Sequence, residues 1–368
     1  MHVHGIPAPV MDCDFLIIGG GIAGLSAGAA LAELGRVVVW EAEEALAYHA
    51  SGRSAALYEA QYGLPETVAL NLASRAGHEA EDVLSPRGLM FVGTRDQSET
   101  FETDLANLKL CEIGETDAQA MVPVLRTGAG LRFGYHAEAW DLDTDRMIQN
   151  RAKAIRTQGG EVNTKHSVAK IERQADGWSV STLDHIIKAR ILVNSAGAWA
   201  DVIADMAGLG GIGITPMRRS VARVPAPGGV DVRSWPMLIG AGETWYAKPD
   251  AGALIVSPAE EEPITPMDAW PEDETLAVGI ARYQEVAGHE ITRLLSSWAG
   301  LRSFAPDRRL VLGPDPRDNA FVWSAGQGGY GFQTAPAAGR LVADLVAGRA
   351  SDLSADVVAA LRPERLLS

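Results

Sequence analysis

The sequence predicts an α/β fold in which a domain with a parallel sheet is interleaved with an α+β domain built on an antiparallel sheet. Three segments support the parallel sheet, since each has a buried strand, a turn of small residues and a helix: 14–43, 191–208 and 319–348. Segment 216–302 supports the antiparallel sheet, because its apolar positions alternate and prolines and glycines mark its turns. With 368 residues, of which 47% are hydrophobic, the chain is long enough for two domains.

The first unit, DFLIIGGGIAGLSAGAALAELGRVVVWEAE, allows two interpretations. Its 18 consecutive uncharged residues, 15–32, reach the lower limit for a membrane span. However, a β-type run from Phe15 to Ile18 leads into three consecutive glycines, which interrupt a continuous helix. A helical pattern and a second apolar strand follow within about 30 residues. The order strand, glycine turn, helix, strand therefore favours a dinucleotide-binding Rossmann-like unit over a membrane helix.

Each glycine of this unit has a chemical role in that interpretation. Gly19 permits the tight turn, Gly21 lets the backbone approach a pyrophosphate, and Gly24 lets the helix pack closely on the strand. The helix N-terminus offers free N–H groups and a partial positive charge to the phosphates. Glu41 follows the second strand, where its carboxylate can accept hydrogen bonds from both hydroxyls of an adenosine ribose. Three neighbours complete the predicted contacts of this unit: Ile22, Ala23 and Ala42.

Composition narrows the class of protein. The net charge of −15 disfavours a nucleic-acid partner, whose affinity comes mainly from Lys and Arg on phosphates. Two cysteines, Cys13 and Cys111, make neither a disulfide framework nor a metal cluster, so we expect no metal and a cytoplasmic location, with peripheral membrane association left open. Residues 1–10 have no apolar core of a signal peptide, and we expect a disordered tail there.

The three strand–turn–helix units lie far apart in the chain, which suits an extended cofactor such as FAD better than NAD. Motifs in the same order then make the chain similar to the D-amino-acid oxidase and glycine oxidase (DAO) superfamily of flavoproteins, and within it most similar to bacterial D-arginine dehydrogenases. The motifs run from Gly19 to Thr334: GGGIAG, YHASGRSAA, VPVL, LVNSAGAWAD, RRS, WPML, WYAKPDAG, SPA, WAGLRSF and GQGGYGFQT.

The resemblance implies two interleaved domains. The FAD-binding domain would comprise 11–86, 141–215 and 303–368, and the substrate-binding domain 87–140 and 216–302.

The resemblance also implies further cofactor contacts. Arg53 is expected near the two phosphates, and the loop Gly328–Gly331 at the pyrimidine edge of the flavin, ahead of a helix that begins near Thr334. His49 raises the question of covalent attachment, but the similarity is to members that bind FAD non-covalently, so we expect non-covalent FAD. The implied contacts are His49, Ser51, Gly52, Arg53, Ser54, Ala55, Ala56, Val168, Ala196, Gly197, Trp199, Gly300, Arg302, Gly328, Gly329, Tyr330, Gly331, Phe332, Gln333 and Thr334.

An amino-acid substrate needs its carboxylate held, and a planar arginine does this bidentately. Arg302 and Arg219 match the arginines that hold the carboxylate in the family, with Arg218 as the alternative to Arg219. Tyr246 is expected to donate its hydroxyl to the same carboxylate. Two further residues complete the implied catalytic set: Tyr62 and Gly328. The implied reaction transfers hydride from Cα to flavin N5 once the amine is neutral, and the imino acid hydrolyses to a 2-oxo acid and ammonia.

The pocket for the substrate side chain departs from the D-arginine dehydrogenase pattern. Leu89 replaces an acid that would hold a guanidinium, Leu57 replaces a histidine, and Glu59 replaces a small hydroxyl residue. One interpretation is an apolar or aromatic D-amino acid, because an unpaired guanidinium against leucine is costly. The other is that Glu59 binds a cation from a new position.

Other functions remain open at this point. The same clamp would suit a secondary amine such as sarcosine, glycine, or a 2-hydroxy acid, while a non-catalytic flavin-binding subunit would not need it. The electron acceptor, whether quinone, dye or oxygen, is unknown. Segment Ser257–Glu274, with four prolines and seven acids, is expected to be a solvated surface loop, with a mobile lid as the alternative.

Overall fold

The computed structural model of the chain describes residues 12–228 and 230–367, so the predicted tail 1–10 lies outside the described residues. Its strands are β1 (Cys13–Ile18), β2 (Val37–Trp40), β3 (Leu57–Glu59), β4 (Leu84–Pro86), β5 (Leu89–Gly93), β6 (Cys111–Ile113), β7 (Arg132–His136), β8 (Ala139–Leu142), β9 (Glu161–Asn163), β10 (Lys170–Gln174), β11 (Gly177–Ser181), β12 (Ile186–Asn194), β13 (Thr215–Pro225), β14 (Met237–Gly240), β15 (Tyr246–Asp250), β16 (Ala253–Ser257), β17 (Glu262–Pro263), β18 (Ser296–Phe304), β19 (Val311–Asp315) and β20 (Asp318–Ala325). Its α-helices are α1 (Ile22–Leu31), α2 (Pro65–Ala80), α3 (Ser98–Leu108), α4 (Glu115–Met121), α5 (Thr144–Thr157), α6 (Ala200–Met206), α7 (Asp273–Val286), α8 (Gly331–Ala347) and α9 (Ala355–Leu361).

Five parallel strands form the centre of the first sheet, in the order β20-β12-β1-β2-β9. Strand β1 is apolar on both faces because both are covered. Phe15 and Ile17 pack with helices α1, α5 and α8, while Leu16 and Ile18 pack on the opposite side with Trp178. Strands β10, β11 and β19 extend the sheet by antiparallel pairing. The predicted α/β fold is confirmed.

The second sheet has nine strands, drawn from residues 89–136 and 215–304. Its strands pair antiparallel except for β14 and β5, which run parallel. Strands β13 and β18 form its longest pair, with Met217 opposite Arg302 and Arg219 opposite Gly300. One face of the sheet closes over a core that contains Trp235 and the α7 residue Tyr283. The other face meets the cavity described below.

A small third sheet, β3-β8-β4, lies where the two predicted domains meet. Strand β8 itself crosses the predicted boundary at 140/141. The domain boundaries remain a prediction.

Helix α8 begins earlier than the sequence suggested. Its first helical residue is Gly331 rather than one near Thr334, and Tyr330 is the N-cap. The backbone N–H of Thr334 donates to the Tyr330 carbonyl, which closes the first turn. The prediction of the helix start was therefore wrong by about one turn, and the glycine loop is correspondingly shorter.

Helix α2 completes the hydrogen bonding of α8 around an internal proline. Pro336 has no N–H to donate within the helix. The next residue, Ala337, donates its backbone N–H to Ser74 Oγ of α2 at 3.1 Å. The buried His78 of α2 places Nε2 at 2.9 Å from the Gln333 carbonyl oxygen. Two polar side chains of α2 thus position the first turns of α8.

The two cysteines lie in contrasting environments. Cys13 begins the central strand β1 and is buried, whereas Cys111 is exposed on β6; both are free thiols. Within residues 12–228 and 230–367, no helix combines the length and the apolar character needed to cross a membrane.

Candidate active site

A cavity of about 590 Å³ opens between the ends of the parallel strands and one face of the second sheet. It brings together residues from distant parts of the chain, from Ile18 to Gln333. The predicted site residues that line it are Gly19, Gly21, Ile22, Ala23, Glu41, Ala42, His49, Ser51, Arg53, Ser54, Ala55, Ala56, Leu57, Glu59, Tyr62, Leu89, Val168, Ala196, Gly197, Trp199, Arg219, Tyr246, Gly300, Arg302, Gly328, Gly329, Gly331, Phe332 and Gln333.

Four predicted contacts do not line the cavity: Gly24, Gly52, Tyr330 and Thr334. They support its wall instead. A Cβ on Gly24 would collide with the Gly19 carbonyl oxygen, and one on Gly52 with the Ala47 carbonyl. The Thr334 hydroxyl donates to the Tyr330 carbonyl at 2.9 Å, so both residues belong to the base of α8.

The first glycine turn has the shape that a pyrophosphate requires. Gly19 has φ +112°, and a Cβ there would collide with the Ser195 carbonyl. Gly21 caps α1 without any side-chain hydrogen bond. A Cβ on Gly21 would lie 3.1 Å from Ser51 Oγ, the atom that accepts the Ile22 N–H at 3.0 Å. The helix N-terminus thus faces the cavity with its donors close to the surface, as an anion site needs.

Glu41 is fixed at the far end of this turn. Its Oε2 accepts the Gly20 N–H at 2.6 Å, and its Oε1 accepts the Glu43 N–H at 2.9 Å. Each carboxylate oxygen has a second lone pair, so the group can still accept from ribose hydroxyls. The neighbouring residues His166 and Ser167 also line the cavity beside Val168, although the sequence reasoning did not single them out.

Arg53 lines the cavity, but its donors are bound by protein atoms. Nη1 donates to the carbonyls of Ala269 and Ala299, at 3.0 and 2.9 Å, and Nε to the Tyr48 carbonyl at 3.2 Å. Nη2 forms an ion pair of 2.5 Å with Asp268. In this structure Arg53 anchors the segment that contains Asp268, and its expected position near the two phosphates stays a prediction.

That segment, Ser257–Glu274, is a surface segment with nine of its 18 residues exposed, as its composition predicted, but it also pairs with neighbouring elements. Its residues Glu262 and Pro263 form β17 against Met217 and Arg218 of β13. Met267 and Ala269 line the cavity. Five of its acids contact partners on neighbouring elements, and we call the segment the acidic strap: Glu260, Glu261, Glu262, Asp268 and Glu272. The alternative of a mobile lid stays a prediction.

Arg302 is the central cation of the substrate end. A Cβ on Gly329 would lie 2.9 Å from Arg302 Nη1, so the glycine loop lies directly against the guanidinium. Among the residues that the structure describes, no carboxylate forms an ion pair with Arg302. Tyr62 and Tyr246 line the same part of the cavity. Burial raises the pKa of Tyr62, and the nearby Glu243 carboxylate raises it further, so the phenol stays protonated as a donor.

The structure separates Arg219 from Arg218. Successive residues of a strand face opposite sides, and Arg219 shares its face with Arg302 across the β13–β18 pair. Arg218 faces away from the cavity and pairs with Glu262 and Glu272 of the strap. Burial lowers the pKa of Arg219, and the positive charge of Arg302 lowers it further. Two cations thus face one cavity, which favours an anion between them.

The predicted side-chain pocket is mainly apolar. Leu57 and Leu89 line it together with three residues that the sequence reasoning missed: Leu108, Met237 and Ile239.

Glu59 is buried and already has partners. Its Oε1 accepts the Gln61 N–H at 2.9 Å, whereas its Oε2 lies 3.0 Å from His136 Nε2 without a hydrogen bond between them. His136 Nδ1 accepts the Glu138 N–H at 2.9 Å, which places the ring proton on Nε2, toward Glu59.

Glu243 is a site residue that the sequence reasoning missed. Its Oε2 accepts the Tyr62 hydroxyl at 2.7 Å, and its carboxylate lies on the cavity wall. Its φ of +55° is strained for a residue with a side chain, and strain of this kind concentrates at functional sites. Three other non-glycine residues with positive φ line the same cavity: Ala47, Ala56 and Ala259. The only signal in the sequence is the position of Glu243, two residues before the start of the WYAKPDAG motif.

Comparison with known proteins supports this interpretation of the cavity. Residues 14–345 match the family model described as DAO, FAD dependent oxidoreductase. The chain is 26% identical to FAD-dependent oxidoreductase domain-containing protein 1 of Bos taurus, over 92% of the chain and 82% of that relative.

Two solved structures share the fold. Glycine oxidase from Geobacillus kaustophilus superposes with a TM-score of 0.81 at 22% identity, covering 93% of this chain and 96% of that one. L-alpha-glycerophosphate oxidase from Mycoplasma pneumoniae, with FAD bound, gives 0.80 at 17% identity, covering 91% and 94%. With the family match over most of its length, the chain belongs to the DAO family of FAD-dependent oxidoreductases.

Proposed function

We propose that the chain oxidises the Cα–N bond of a D-amino acid, as a dehydrogenase or an oxidase. The observation that carries the proposal is Arg302, a cation that faces the cavity beside the glycine loop without a carboxylate partner in the described part of the chain. Glu243 acts on this guanidinium electrostatically but forms no ion pair with it, and the carboxylate of a substrate would supply a direct partner. The choice of the D series rests on the resemblance to D-amino-acid-oxidising members of the family.

The side chains would act by holding the substrate. Arg302 and Arg219 would hold the carboxylate, with the Tyr246 hydroxyl as an additional donor, while the Tyr62 hydroxyl donates to Glu243. The bound flavin supplies the hydride acceptor. Glu243 accepts a hydrogen bond from Tyr62 and lies beside the arginines that would hold the carboxylate. Its negative charge would attract the substrate amine. The glycine at 329 leaves room for the clamp, because any side chain there would fall on Arg302.

The lining of the side-chain pocket favours an apolar or aromatic substrate. Leu57, Leu89 and Met237 would contact it directly, and burying apolar surface there is favourable. The alternative role of Glu59, binding a cationic side chain, stays open, because the Gln61 N–H occupies Oε1 whereas Oε2 accepts no hydrogen bond within the described residues.

We propose further that FAD is bound without a covalent link. His49 Nε2 lies 2.8 Å from Glu43 Oε1, so this nitrogen already has a partner. Its Nδ1 is 4.0 Å from Asp268 of the acidic strap. Acid precipitation should therefore release all of the flavin into the supernatant, and flavin that stayed with the pellet would contradict this proposal.

An anaerobic bleaching screen tests the function. The holoenzyme is mixed with D- and L-amino acids, glycine, sarcosine and 2-hydroxy acids, and flavin absorbance is followed. We expect fast bleaching by apolar D-amino acids and slow bleaching by the others. Re-admission of air then separates an oxidase, which regains its colour, from a dehydrogenase. Bleaching by sarcosine or a 2-hydroxy acid alone would replace the proposal with the corresponding alternative, and no bleaching by any of them would contradict it.

A further inference from the structure

Glu261 of the acidic strap lies between two arginines, Arg219 in the cavity lining and Arg308 outside it. Its Oε1 is 3.2 Å from Nη2 of Arg219, which lines the cavity. Both of its oxygens contact Arg308 Nη2, at 3.0 and 2.8 Å. Arg308 is outside the cavity lining, 43% exposed, with its guanidinium 3.9 Å from the Phe304 ring. One carboxylate is thus shared by two arginines.

The backbone of the strap reinforces this contact. Arg219 Nε donates to the Glu260 carbonyl at 2.7 Å. The Ser220 N–H donates to Glu260 Oε1 at 2.6 Å, which fixes the strap residue next to Glu261. Within the described residues, Nη1 of Arg219 has no hydrogen-bond partner. Arg219 can therefore still receive a ligand through Nη1, while the strap occupies its other side.

We propose that Glu261 is a specificity-determining residue, which lowers the affinity of the site for anions and excludes substrates with a second carboxylate. The inference rests on the proposed function, since it assumes that Arg219 faces the substrate carboxylate. With Glu261 in place, the charge of Arg219 is partly balanced, and Arg302 is left as the main cation for one carboxylate. Glu261 lies outside the cavity lining, behind Arg219, and would repel an additional acidic group of the substrate through space.

Arg308, outside the cavity lining, modulates how strongly Glu261 lowers the affinity for anions. It draws Glu261 away from Arg219 by competing for the same oxygens. Removing the charge of Arg308 would leave Arg219 as the main partner of Glu261, and would also remove a positive charge near the site. Both changes weaken the binding of an anion. Neutralising Glu261 acts in the opposite direction. Neutralising Glu261 should therefore raise the affinity of the site for an anion, and neutralising Arg308 should lower it.

Ligand binding to the holoenzyme tests this without turnover. Wild type, Glu261→Gln and Arg308→Gln are titrated with benzoate, a monoanion without an amino group, and with isophthalate, a dianion, by the change in the flavin spectrum. We expect Glu261→Gln to lower the benzoate Kd roughly three- to tenfold. The isophthalate Kd should fall by about the square of that factor, because the interaction scales with the ligand charge. Arg308→Gln should raise both Kd values.

Glu262→Gln is the matched control, because Glu262 is the next residue of the strap and pairs with Arg218, which faces away from the cavity. Its Kd values should equal those of wild type. An unchanged or weaker benzoate Kd in Glu261→Gln, or a tighter one in Arg308→Gln, would overturn the inference while leaving the proposed function intact. If wild type bound benzoate nowhere near the flavin, the carboxylate clamp would be refuted and this inference with it. Equal flavin-to-protein ratios in all four proteins exclude a difference in loading.

Discussion

Arg302 and Arg219 concentrate positive charge on one wall of an enclosed cavity. Arg219 is partly balanced by Glu261, whereas Arg302 faces Tyr62, Tyr246 and the edge of the glycine loop. Desolvated charges of like sign repel, and burial together with Arg302 lowers the pKa of Arg219. The wall therefore has a strong preference for a ligand with a carboxylate, and it gives that ligand one orientation.

The first prediction concerns Arg302 itself. Arg302→Met should lower kcat/KM for the best substrate roughly 30- to 5,000-fold, because losing one partner of a buried charge pair costs about 2–5 kcal/mol. Steady-state kinetics on the flavin-loaded variant measures the loss. Arg218→Met is the control, since Arg218 faces away from the cavity and contacts Glu262 and Glu272; its kcat/KM should match wild type. Equal losses in the two variants would show that the effect is structural rather than local.

The second prediction concerns pH. Hydride transfer needs a neutral substrate amine, so kcat/KM should rise about tenfold per pH unit below the pKa of the amine and then level off. The rise should end in a plateau without a decline below about pH 10, because burial raises the pKa of Tyr62 above its usual value. Tyr62→Phe should keep the same rising limb at a lower plateau. A bell-shaped profile, or a rate independent of pH, would contradict this mechanism.

Among the elements, the first glycine turn and α1 show what local sequence can determine. Gly19 adopts a positive φ, which favours glycine. Gly24 lies so close to the Gly19 carbonyl oxygen that a Cβ at position 24 would collide with it. Both requirements follow from residues within one unit of the chain, and so spacing alone predicted them. The long-range contacts of Ser257–Glu274 could not be predicted in this way. Its acids find arginines far away in sequence, as Asp268 finds Arg53.

Gly24 provides the third prediction. Gly24→Ala should lower FAD affinity at least roughly tenfold, because its Cβ would collide with the Gly19 carbonyl and displace the turn that faces the phosphates. The flavin-to-protein ratio after dialysis, and reconstitution with added FAD, report the change. Gly28→Ala is the matched control, because Gly28 lies on the same helix, α1. Its Cβ would approach only the ends of the Ile17 and Ile155 side chains, which can move. We expect Gly28→Ala to retain FAD.

The contact between α2 and α8 provides the fourth prediction. Burial lowers the pKa of His78, whose Nε2 meets the Gln333 carbonyl. Below about pH 6.5, the ordinary pKa of histidine, the unfolded chain therefore binds more protons at His78 than the folded chain does. The contribution of His78 to the free energy of unfolding is complete above that pH and is lost as pH falls below it. Stability should fall by at most about 1.4 kcal/mol per pH unit from this group. His78→Gln should flatten that part of the dependence, measured as urea midpoints at pH 7.5 and 5.5. An equally steep loss in the variant would exclude His78 as its source.

At the scale of the whole molecule, an ionic cluster around the buried Lys248 connects the second and third sheets. Asp141 of β8 accepts from Arg87 Nε at 2.8 Å and from Lys248 Nζ of β15 at 2.9 Å. Lys248 is only 8% exposed, and burial lowers its pKa. The cluster lies in a second cavity of about 450 Å³, which shares the wall segment 54–56 with the active site. It therefore couples the packing of the sheets to one wall of the FAD cavity.

The fifth prediction follows from this cluster. Asp141→Asn should destabilise the protein by about 3–5 kcal/mol, because Lys248 and Arg87 would keep their charges without a counter-charge. The shift of the denaturation midpoint measures it. Asp231→Asn breaks the exposed ion pair with Arg233 and should leave the midpoint unchanged. Similar midpoints for the two variants would show that the buried cluster is not a major source of stability.

The sequence allowed the fold class to be predicted because it depends on repeated local patterns, such as the strand β1 and its glycine turn. The cavity residues carried by motifs could also be predicted, for example Arg302 and Tyr246. Glu243 could not, because its importance arises from a strained turn that brings it to Tyr62, 181 positions away. Glu261 was equally hidden, since its role depends on the pairing of the strap with β13. Contacts between distant segments are set by tertiary packing, which spacing along the chain does not encode.

The contrast between the two thiols gives the wild-type protein one natural attachment point. Burial raises the pKa of Cys13 to about 12, so it stays unreactive, while Cys111 is exposed on β6. A maleimide fluorophore should therefore label the outer strand of the second sheet at a single position. Energy transfer from that dye to the yellow coenzyme would then report distance changes between the sheet and the flavin in unmutated protein.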